Sequence, residues 1–352
     1  MILDQLYKEF IQRRPLVRSA FFFSILFLIT ISCSSTSDLA TVNTQKVDYS
    51  LIFVVHADAN YLYHENGKAK KADEEALVHA KEIAKAAKHG EVFIFHQKPE
   101  RKAFLFFPKK DRQYYQYRNG VLIDKENYSP KNGGLTKESE IYKSHSANNP
   151  SHKTYFAYFG HEIPTFPGRT YHHSSVDAEF NSTIFADQVR NFSSDIALTI
   201  LSTCNNGNPL MMNSLQEVTD VVIASPQNLH LSYLNADKFN LLESDPTIET
   251  MSLADSIAAD SFAELSSLQT MVTVAIYDLD EISDYITSFN ESYQEHLKFV
   301  EAKPLFTNNE DCNNIGDLES TLRTKGVTTF YKPAAFGRKA RNSSHSGWGC
   351  KE

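Results

Sequence analysis

A cysteine and a histidine in this chain stand where a nucleophile and its base would be needed. Ile196 to Leu201 is an apolar, partly β-branched run, too short for a helix and bounded by polar residues. That pattern predicts a buried strand of a parallel sheet. It ends in Ser202-Thr203-Cys204, followed by the turn cluster Asn205-Asn206-Gly207 and a helix start at Pro209. Proline suits the first helical turn, where its missing N–H is no loss. Cys204 therefore sits at the carboxyl end of a core strand, where open α/β sheets place their ligands.

Upstream, Thr154 to Gly160 is a second strand-like run, and it leads straight into His161-Glu162 before a Pro/Gly-rich loop. If the two strands are parallel neighbours, the imidazole and the thiol emerge on one rim. A thiol becomes a reactive thiolate near neutral pH when a base or cation adjoins it, and a facing imidazole supplies that. An inert core thiol beside an incidental histidine is the bland alternative for any one such pair. Two strand-end placements argue for chemistry.

From about Asp48 to Tyr285 the chain resembles the clostripain-like cysteine peptidases, which share the caspase/gingipain fold. The matching stretches are Tyr49 to Leu62, with His56-Ala57-Asp58-Ala59-Asn60, then Tyr158-Phe159-Gly160-His161 and the strand ending at Cys204. Val221 to Pro226 and Val272 to Leu279 continue the match. The resemblance implies a doubly wound, mostly parallel α/β sheet flanked by helices. It implies Cys204 as nucleophile and His161 as base or orienting partner; calcium dependence occurs in some relatives, but no ligand cluster of matching spacing is visible in this chain, and no cofactor is expected. Backbone N–H groups at Cys204 and around Gly160 to Glu162 would hold the oxyanion. Ser202, Asp58, Ser225 and Gln227 would border the substrate. Two departures matter. Members with trypsin-like preference carry an acid two positions before the cysteine, where this chain has Ser202, so a basic P1 residue is not implied. Many have Gly after the histidine, where this chain has Glu162, whose carboxylate would oppose an oxyanion unless it points away. A catalytically silent member that binds peptides or a protein partner is the alternative, and a surface module with Cys204 as a core thiol is another.

The elements that would position the pair can be read along the chain. Tyr49 to His56 predicts the first core strand, with His56 as a polar residue at its end. Asp73 to Lys88 has helical spacing, with Ala76, Leu77, Ala80, Ile83 and Ala87 on one face and Asp73-Glu74-Glu75 in the first turn, complementing the helix dipole. Lys88-His89-Gly90 is expected to stop it, and Glu91 to His96 to form the next strand. Asn119-Gly120 predicts a tight hairpin turn in a solvent-facing hairpin beside the core. Tyr128 to Lys153 reads as a mobile polar loop. Phe185 to Asn191, Leu210 to Val218, Thr250 to Gln269 and Glu281 to Val300 predict helices. Asp220 to Ser225, Met271 to Tyr277 and Val327 to Pro333 predict strands, and Asp317 to Arg323 a short helix. Tyr171-His172-His173 matches no helical metal-binding pattern, because no histidine lies four residues from another across a glutamate; a surface loop near the cleft is expected and no metal site.

The chain has 352 residues, 41% hydrophobic and 12% aromatic, enough for a substantial core. Arg13, Arg14 and Arg18 precede an apolar run from Ala20 to Ser32 that suits a signal-peptide core and is short for a membrane span. It ends at Cys33-Ser34-Ser35, which resembles a bacterial lipoprotein signal, with lipid on Cys33 as the membrane anchor; a plain secretory signal with a chance cysteine is the alternative. The expected organisation is a signal peptide over 1–32, a tether over 33–47, a peptidase domain over 48–300 and a C-terminal extension over 301–352 packing on it. Residues 1–32 hold four basic and two acidic residues, so their removal takes the net charge from −8 to −10. Such an acidic chain without a basic patch is a poor nucleic-acid binder. The expected partners are a peptide or protein substrate and the membrane of a bacterial cell envelope. Cys312 and Cys350 remain, and after export a disulfide between them is an open alternative to two thiols.

Overall fold

Tyr49–Val55, seven residues and all of them buried, form β1, the strand from which the sheet grows in both directions. The structure, a computed structural model, describes residues 47–56, 62–65, 67–98, 101–103, 107–109, 112–129, 134–147, 152–165, 180–229, 236–268, 271–297, 325–337, 340, 344–348 and 350–351. All of these fall in one compact unit, Lys46–Glu352. The signal peptide, most of the tether, Cys33, Asp58, His172, His173, Cys312 and the helix expected over Asp317 to Arg323 lie outside the described residues.

The central sheet has nine strands: β1, β2 (Gly90–Gln97), β3 (Arg112–Arg118), β4 (Val121–Tyr128), β5 (Lys153–Phe159), β6 (Ile196–Ser202), β7 (Thr219–Ala224), β8 (Val272–Asp278) and β9 (Val327–Lys332). Their order is β9-β8-β7-β6-β5-β1-β2-β3-β4. The five from β7 to β2 run parallel. At each margin the sheet is completed by antiparallel pairing, β3 and β4 on one side and β8 and β9 on the other. Parallel strands need helical crossovers, which cover both faces and explain why these strands are apolar almost throughout.

The helices are α1 (Ala72–Ala86), α2 (Thr136–His145), α3 (Ser182–Arg190), α4 (Pro209–Leu215), α5 (Thr250–Leu268) and α6 (Ser283–Leu297), with a short turn of helix at Leu241–Ser244. Side chains alternate between faces along each strand. Leu51, Phe53, Leu198, Ile200, Val221 and Ile223 meet α1 and α5. Ile52, Val54, Phe156, Tyr158, Val222 and Ala224 share the opposite core with residues of α2, α3, α4 and α6. This is the doubly wound, mostly parallel arrangement the sequence implied. Burying one such side chain fully stabilises by about 1.5–3 kcal/mol, and all seven residues of β6 are buried. The strand that delivers Cys204 is therefore anchored in the part of the fold that opens last.

Three expectations need correction. Residues 136–145 are not part of a mobile loop but form α2, whose Glu138, Ser139, Ile141 and Tyr142 are buried. The hairpin turns at Asn119-Gly120, with φ of 51° and 77° at those two residues, as a mirror-image two-residue turn requires. It does not stand beside the core: β3 extends the main sheet and buries Tyr114, Tyr115, Gln116 and Tyr117, while β4 is the exposed edge. Gly90 is not the stop of α1, which ends on the bond from Ala87 N–H to Ile83 O at 3.0 Å. Gly90 opens β2, and a Cβ there would lie 2.3 Å from the Tyr49 ring, so the glycine is needed for a close approach. Asp73 lies in the first turn of α1 as expected, and is fully buried, 3.6 Å from His96 Nε2.

A second buried polar group joins α2 to the sheet. Arg112 Nη1 donates to Glu138 Oε1 at 2.5 Å and to Gly134 O at 2.8 Å, and the Tyr128 hydroxyl donates to the same carboxylate oxygen at 2.6 Å. His56 Nε2 is 3.8 Å from Glu138, beyond hydrogen-bond range, so that contact is electrostatic. Burial, together with the Arg112 charge, lowers the His56 imidazole to about 4. Burial likewise lowers His345 to about 4, and its Nδ1 accepts the Gly347 N–H at 3.0 Å, which a neutral ring permits. Both histidines bind a proton more readily unfolded, where the value is about 6.5. Stability is therefore full above about pH 6.5 and falls as the pH drops from there towards 4. Each histidine accounts for about 3 kcal/mol over that window. Urea melts at half-unit pH steps should show this slope, and His56→Gln should flatten roughly half of it; an unchanged slope in that variant would show that His56 is not the group titrating.

Candidate active site

β5 and β6 are parallel neighbours whose last residues, Phe159 and Ser202, are paired in register. The Gly160 N–H continues the ladder by donating to Ser202 O at 3.3 Å, and the His56 N–H does so from β1 by donating to Phe159 O at 2.9 Å. Three strands thus end on one rim. His161 lies two residues beyond Phe159 and Cys204 two residues beyond Ser202, on chains about 4.8 Å apart. Both are partly exposed, whereas Gly160, Ser202 and Thr203 are buried. Cys204 carries a free thiol, and its Sγ lies 3.6 Å from Leu229 O, towards which it donates. Leu229 belongs to the core on the α1 face.

The sequence matches no protein-family model and no curated protein. The three-dimensional arrangement does have solved counterparts. A secreted C11 cysteine protease of Bacteroides thetaiotaomicron, iotapain, aligns over 71% of this chain and 71% of its own, with 12% identity and a TM-score of 0.51. A structure of a secreted C11 cysteine protease of the same organism with an irreversible peptide inhibitor aligns over 68% of each chain, with 11% identity and a TM-score of 0.52. The fold is that of the C11, clostripain-like, cysteine proteases.

On this C11-like fold the loop carrying Cys204 is laced to the loop carrying His161 by an asparagine that the sequence reading passed over. Asn206 is fully buried. Its Oδ1 accepts the Ile163 N–H at 3.0 Å and the Thr203 hydroxyl at 2.6 Å, and its Nδ2 donates to Ile163 O at 2.8 Å. One side-chain amide thus satisfies both backbone groups of Ile163, two residues past His161. Asn205 adopts φ 56°, a left-handed conformation that asparagine tolerates. Its amide donates to the Glu162 carboxylate and to Asn228 Oδ1, each at 2.9 Å. Glu162, exposed, is thereby tied sideways to the residue after the cysteine. Asn208 accepts the Met211 N–H at 3.0 Å and so caps α4, whose first turn starts with the expected Pro209. In sequence, Asn-Asn-Gly-Asn reads simply as a turn; only the facing loop shows what each amide is for.

The remaining candidates fall behind this rim. Ser225 and Gln227 are buried, the Ser225 hydroxyl donating to Gln227 O at 2.9 Å and accepting the Gln227 N–H at 3.1 Å. The Gln227 side chain accepts from the Thr273 hydroxyl of β8. Backbone bonds from Asn205 N–H to Gln227 O (3.2 Å) and Gly207 N–H to Ser225 O (2.8 Å) fasten the cysteine loop to this turn. Both residues therefore shape the floor on which Cys204 rests. His56 is buried against the Tyr158 ring and caps β1 through its backbone. Among the described residues no group of three or more His, Cys, Asp or Glu could hold a metal ion. Cys350 opens a two-residue strand paired with Ser344–His345, and Trp348 is buried against Tyr277 and Tyr285.

Gly207 has no room for a side chain. A Cβ would lie 2.6 Å from Pro226 N and from the Tyr277 hydroxyl, which itself donates to Gly347 O at 2.8 Å. Gly207→Ala should therefore lower stability by about 1–3 kcal/mol and shift the neighbouring Cys204. Thermal melts give the first effect, and the rate of Cys204 alkylation the second; wild-type values for both would mean the loop yields freely.

Proposed function

We propose that this chain is an exported cysteine endopeptidase working through Cys204 and His161. The observation that carries the reading is the matched offset of the two residues from paired ends of adjacent parallel strands. The relative solved with an irreversible peptide inhibitor supports a peptide substrate. His161 takes the Cys204 proton, and the thiolate attacks the peptide carbonyl to give a tetrahedral oxyanion. The Gly160 N–H is engaged with Ser202 O, so in this mechanism the oxyanion donors are the backbone N–H groups of Cys204 and Glu162. Collapse breaks the C–N bond, the imidazolium protonates the leaving amine, and a thioester remains. Water, deprotonated by His161, then releases the acid and restores the thiol. The tie between Glu162 and Asn205 gives the carboxylate a partner beside the oxyanion position.

The location follows the same line. A relative described as secreted and the apolar run ending at Cys33 support export with a lipid anchor on that cysteine. No helix among the described residues is long and apolar enough to cross a membrane. A mixed peptide library incubated with the full chain is the test. Cleavage at reproducible bonds, abolished by iodoacetamide, is the expected result. Binding without any cleavage would select the silent peptide-binding lipoprotein instead.

A further inference from the structure

At the end of the sheet opposite the Cys204–His161 rim, the tip of the β3–β4 hairpin packs on the end of α1. The Asn119 N–H donates to Gly90 O at 2.9 Å, and a Cβ on Gly120 would lie 2.5 Å from Lys88 Nζ and 2.6 Å from Lys85 O. Strand alternation sorts the hairpin's side chains between the two faces. Leu122 and Lys125 pair with Tyr117 and Tyr115 on the α1 face, whereas Asp124 and Glu126 pair with Gln116 and Tyr114 on the α2 face. Lys81 of α1 and Lys125 both stand over the Tyr115 ring, at 4.0 and 5.3 Å from its centre. Lys85 lies one turn further along α1, and Lys88 just past its end. No salt bridge among the described residues engages these four lysines, and the charged groups bearing on Lys81 are Lys125 and Lys85. Val78, one turn before Lys81, and Val121, Leu122 and Ile123 at the hairpin tip are 45–62% exposed. The Asp48 N–H donates to His89 O at 2.8 Å, so the chain leading in from Cys33 joins the fold beside Lys88.

Taking the proposed lipid on Cys33 as what holds the chain near a bilayer, we infer that this corner docks on an anionic phospholipid surface, lysines at the headgroup phosphates and apolar side chains at the acyl boundary. Charge sets the orientation. The chain as a whole is acidic, at −8, yet this corner is positive, and lysines near an anionic leaflet are attracted to it. The other flank of α1 carries Glu82, Asp237 and Glu243, and Asp220 lies among Asp195, Asp278 and Asp280 beside β6 to β8; an anionic surface repels both groups. Reach argues the same way. Cys33 to Lys46 is 14 residues, which span at most about 50 Å, so docking is an intramolecular event that a weak attraction can drive. An acyl anchor with a basic patch is a two-signal attachment. The edge itself disfavours a second copy. Ile123 is the extra residue of a bulge in β4, and a bulge and an edge lysine are devices that block strand addition. β1, seven residues long, then holds the catalytic rim on the order of 20 Å from the lipid, open to peptide.

The test places the full chain, by its N-terminus, in vesicles of phosphatidylcholine alone or with about one third phosphatidylglycerol, and reads the acetylation rate of each lysine. Lys81, Lys85, Lys88 and Lys125 should react about fivefold more slowly, or slower still, on the anionic vesicles. Salt at about 1 M, where the screening length is about 3 Å, should erase that difference. Lys238 and Lys325, exposed elsewhere, should react alike on both vesicles. The triple variant Lys81→Gln, Lys85→Gln, Lys88→Gln, checked by its melt, should lose the protection of Lys125, since each lysine supplies about a fivefold factor in surface affinity. Its Cys204 alkylation rate should stay at the wild-type value. Equal rates on the two vesicles, protection that extends to Lys238 and Lys325, or protection of Lys125 kept in the triple variant would overturn the inference. Protection that grows with protein concentration in the absence of vesicles would give the corner to a second copy and overturn it as well. Release of the chain by salt, after protection at low salt, would support the surface and remove the anchor. Hydrolysis does not enter these rates, so failure of the peptidase reading would leave the docking result standing.

Discussion

Cys204→Ala should abolish peptide hydrolysis, by a factor on the order of 10⁴ or more, while leaving the melting temperature within a degree or two of wild type. The small stability effect follows from the setting. Cys204 is partly exposed, and its side chain makes a weak 3.6 Å contact with a carbonyl, so its loss leaves no tight core gap. The large activity effect follows from its chemistry, because among the described residues Cys204 supplies the thiol on this rim. His161→Ala should cost about 10² to 10⁴ in hydrolysis and slow iodoacetamide labelling of the native protein near neutral pH. A core thiol would behave otherwise, resisting the reagent until the chain unfolds. Rapid native labelling that is indifferent to His161 would separate an accessible thiol from an activated one, and would remove the histidine from the mechanism.

The rim was legible because it is written locally. Ile196 to Leu201 and Thr154 to Phe159 are apolar runs that end abruptly in polar turn residues, and a buried parallel strand has few other spellings. The α1, α5 and α6 helices announce themselves by period, and Asn119-Gly120 by the φ values its turn demands. What stayed hidden depends on partners far away in the chain. The polarity of α2 is a loop's polarity until Glu138 meets Arg112 from another strand. Gly90 looks like a helix stop until Tyr49 is laid against it. Asn206 is one turn residue among four until Ile163 arrives opposite. Strand direction at β8 is equally silent, since nothing in Val272 to Tyr277 says which way the segment runs. In each case a satisfied polar group or a close approach was required, and a single segment cannot disclose the other half of a pair.

Glu138→Ala should destabilise the fold by about 3–5 kcal/mol, because it strands a buried charge rather than merely deleting a contact. Arg112 is 1% exposed and Glu138 fully buried; without the carboxylate the guanidinium keeps the Gly134 carbonyl at 2.8 Å and loses the Glu138 charge. Glu138→Gln should cost less, since an amide oxygen can still accept from Tyr128 and Arg112. The double variant Arg112→Met, Glu138→Leu should recover much of the loss, as apolar replacements of buried pairs commonly do. The acid limb gives an independent handle. Burial alone would raise the Glu138 carboxyl, but Arg112, then His56 and then the Tyr128 hydroxyl outweigh it and hold the group at about 2. Its folded value lies below the unfolded one of about 4.3, so its contribution is present above that pH and lost as the pH falls towards 2. This window lies below the one assigned to His56 and His345, and urea melts of Glu138→Gln should lose the lower slope, keep the His345 part of the upper one, and move the His56 part to lower pH, because Glu138 supports the protonated ring. A double variant as unstable as Glu138→Ala would mean that the group is needed for its hydrogen bonds to the Gly134 turn and Tyr128, and not for the balance of its charges.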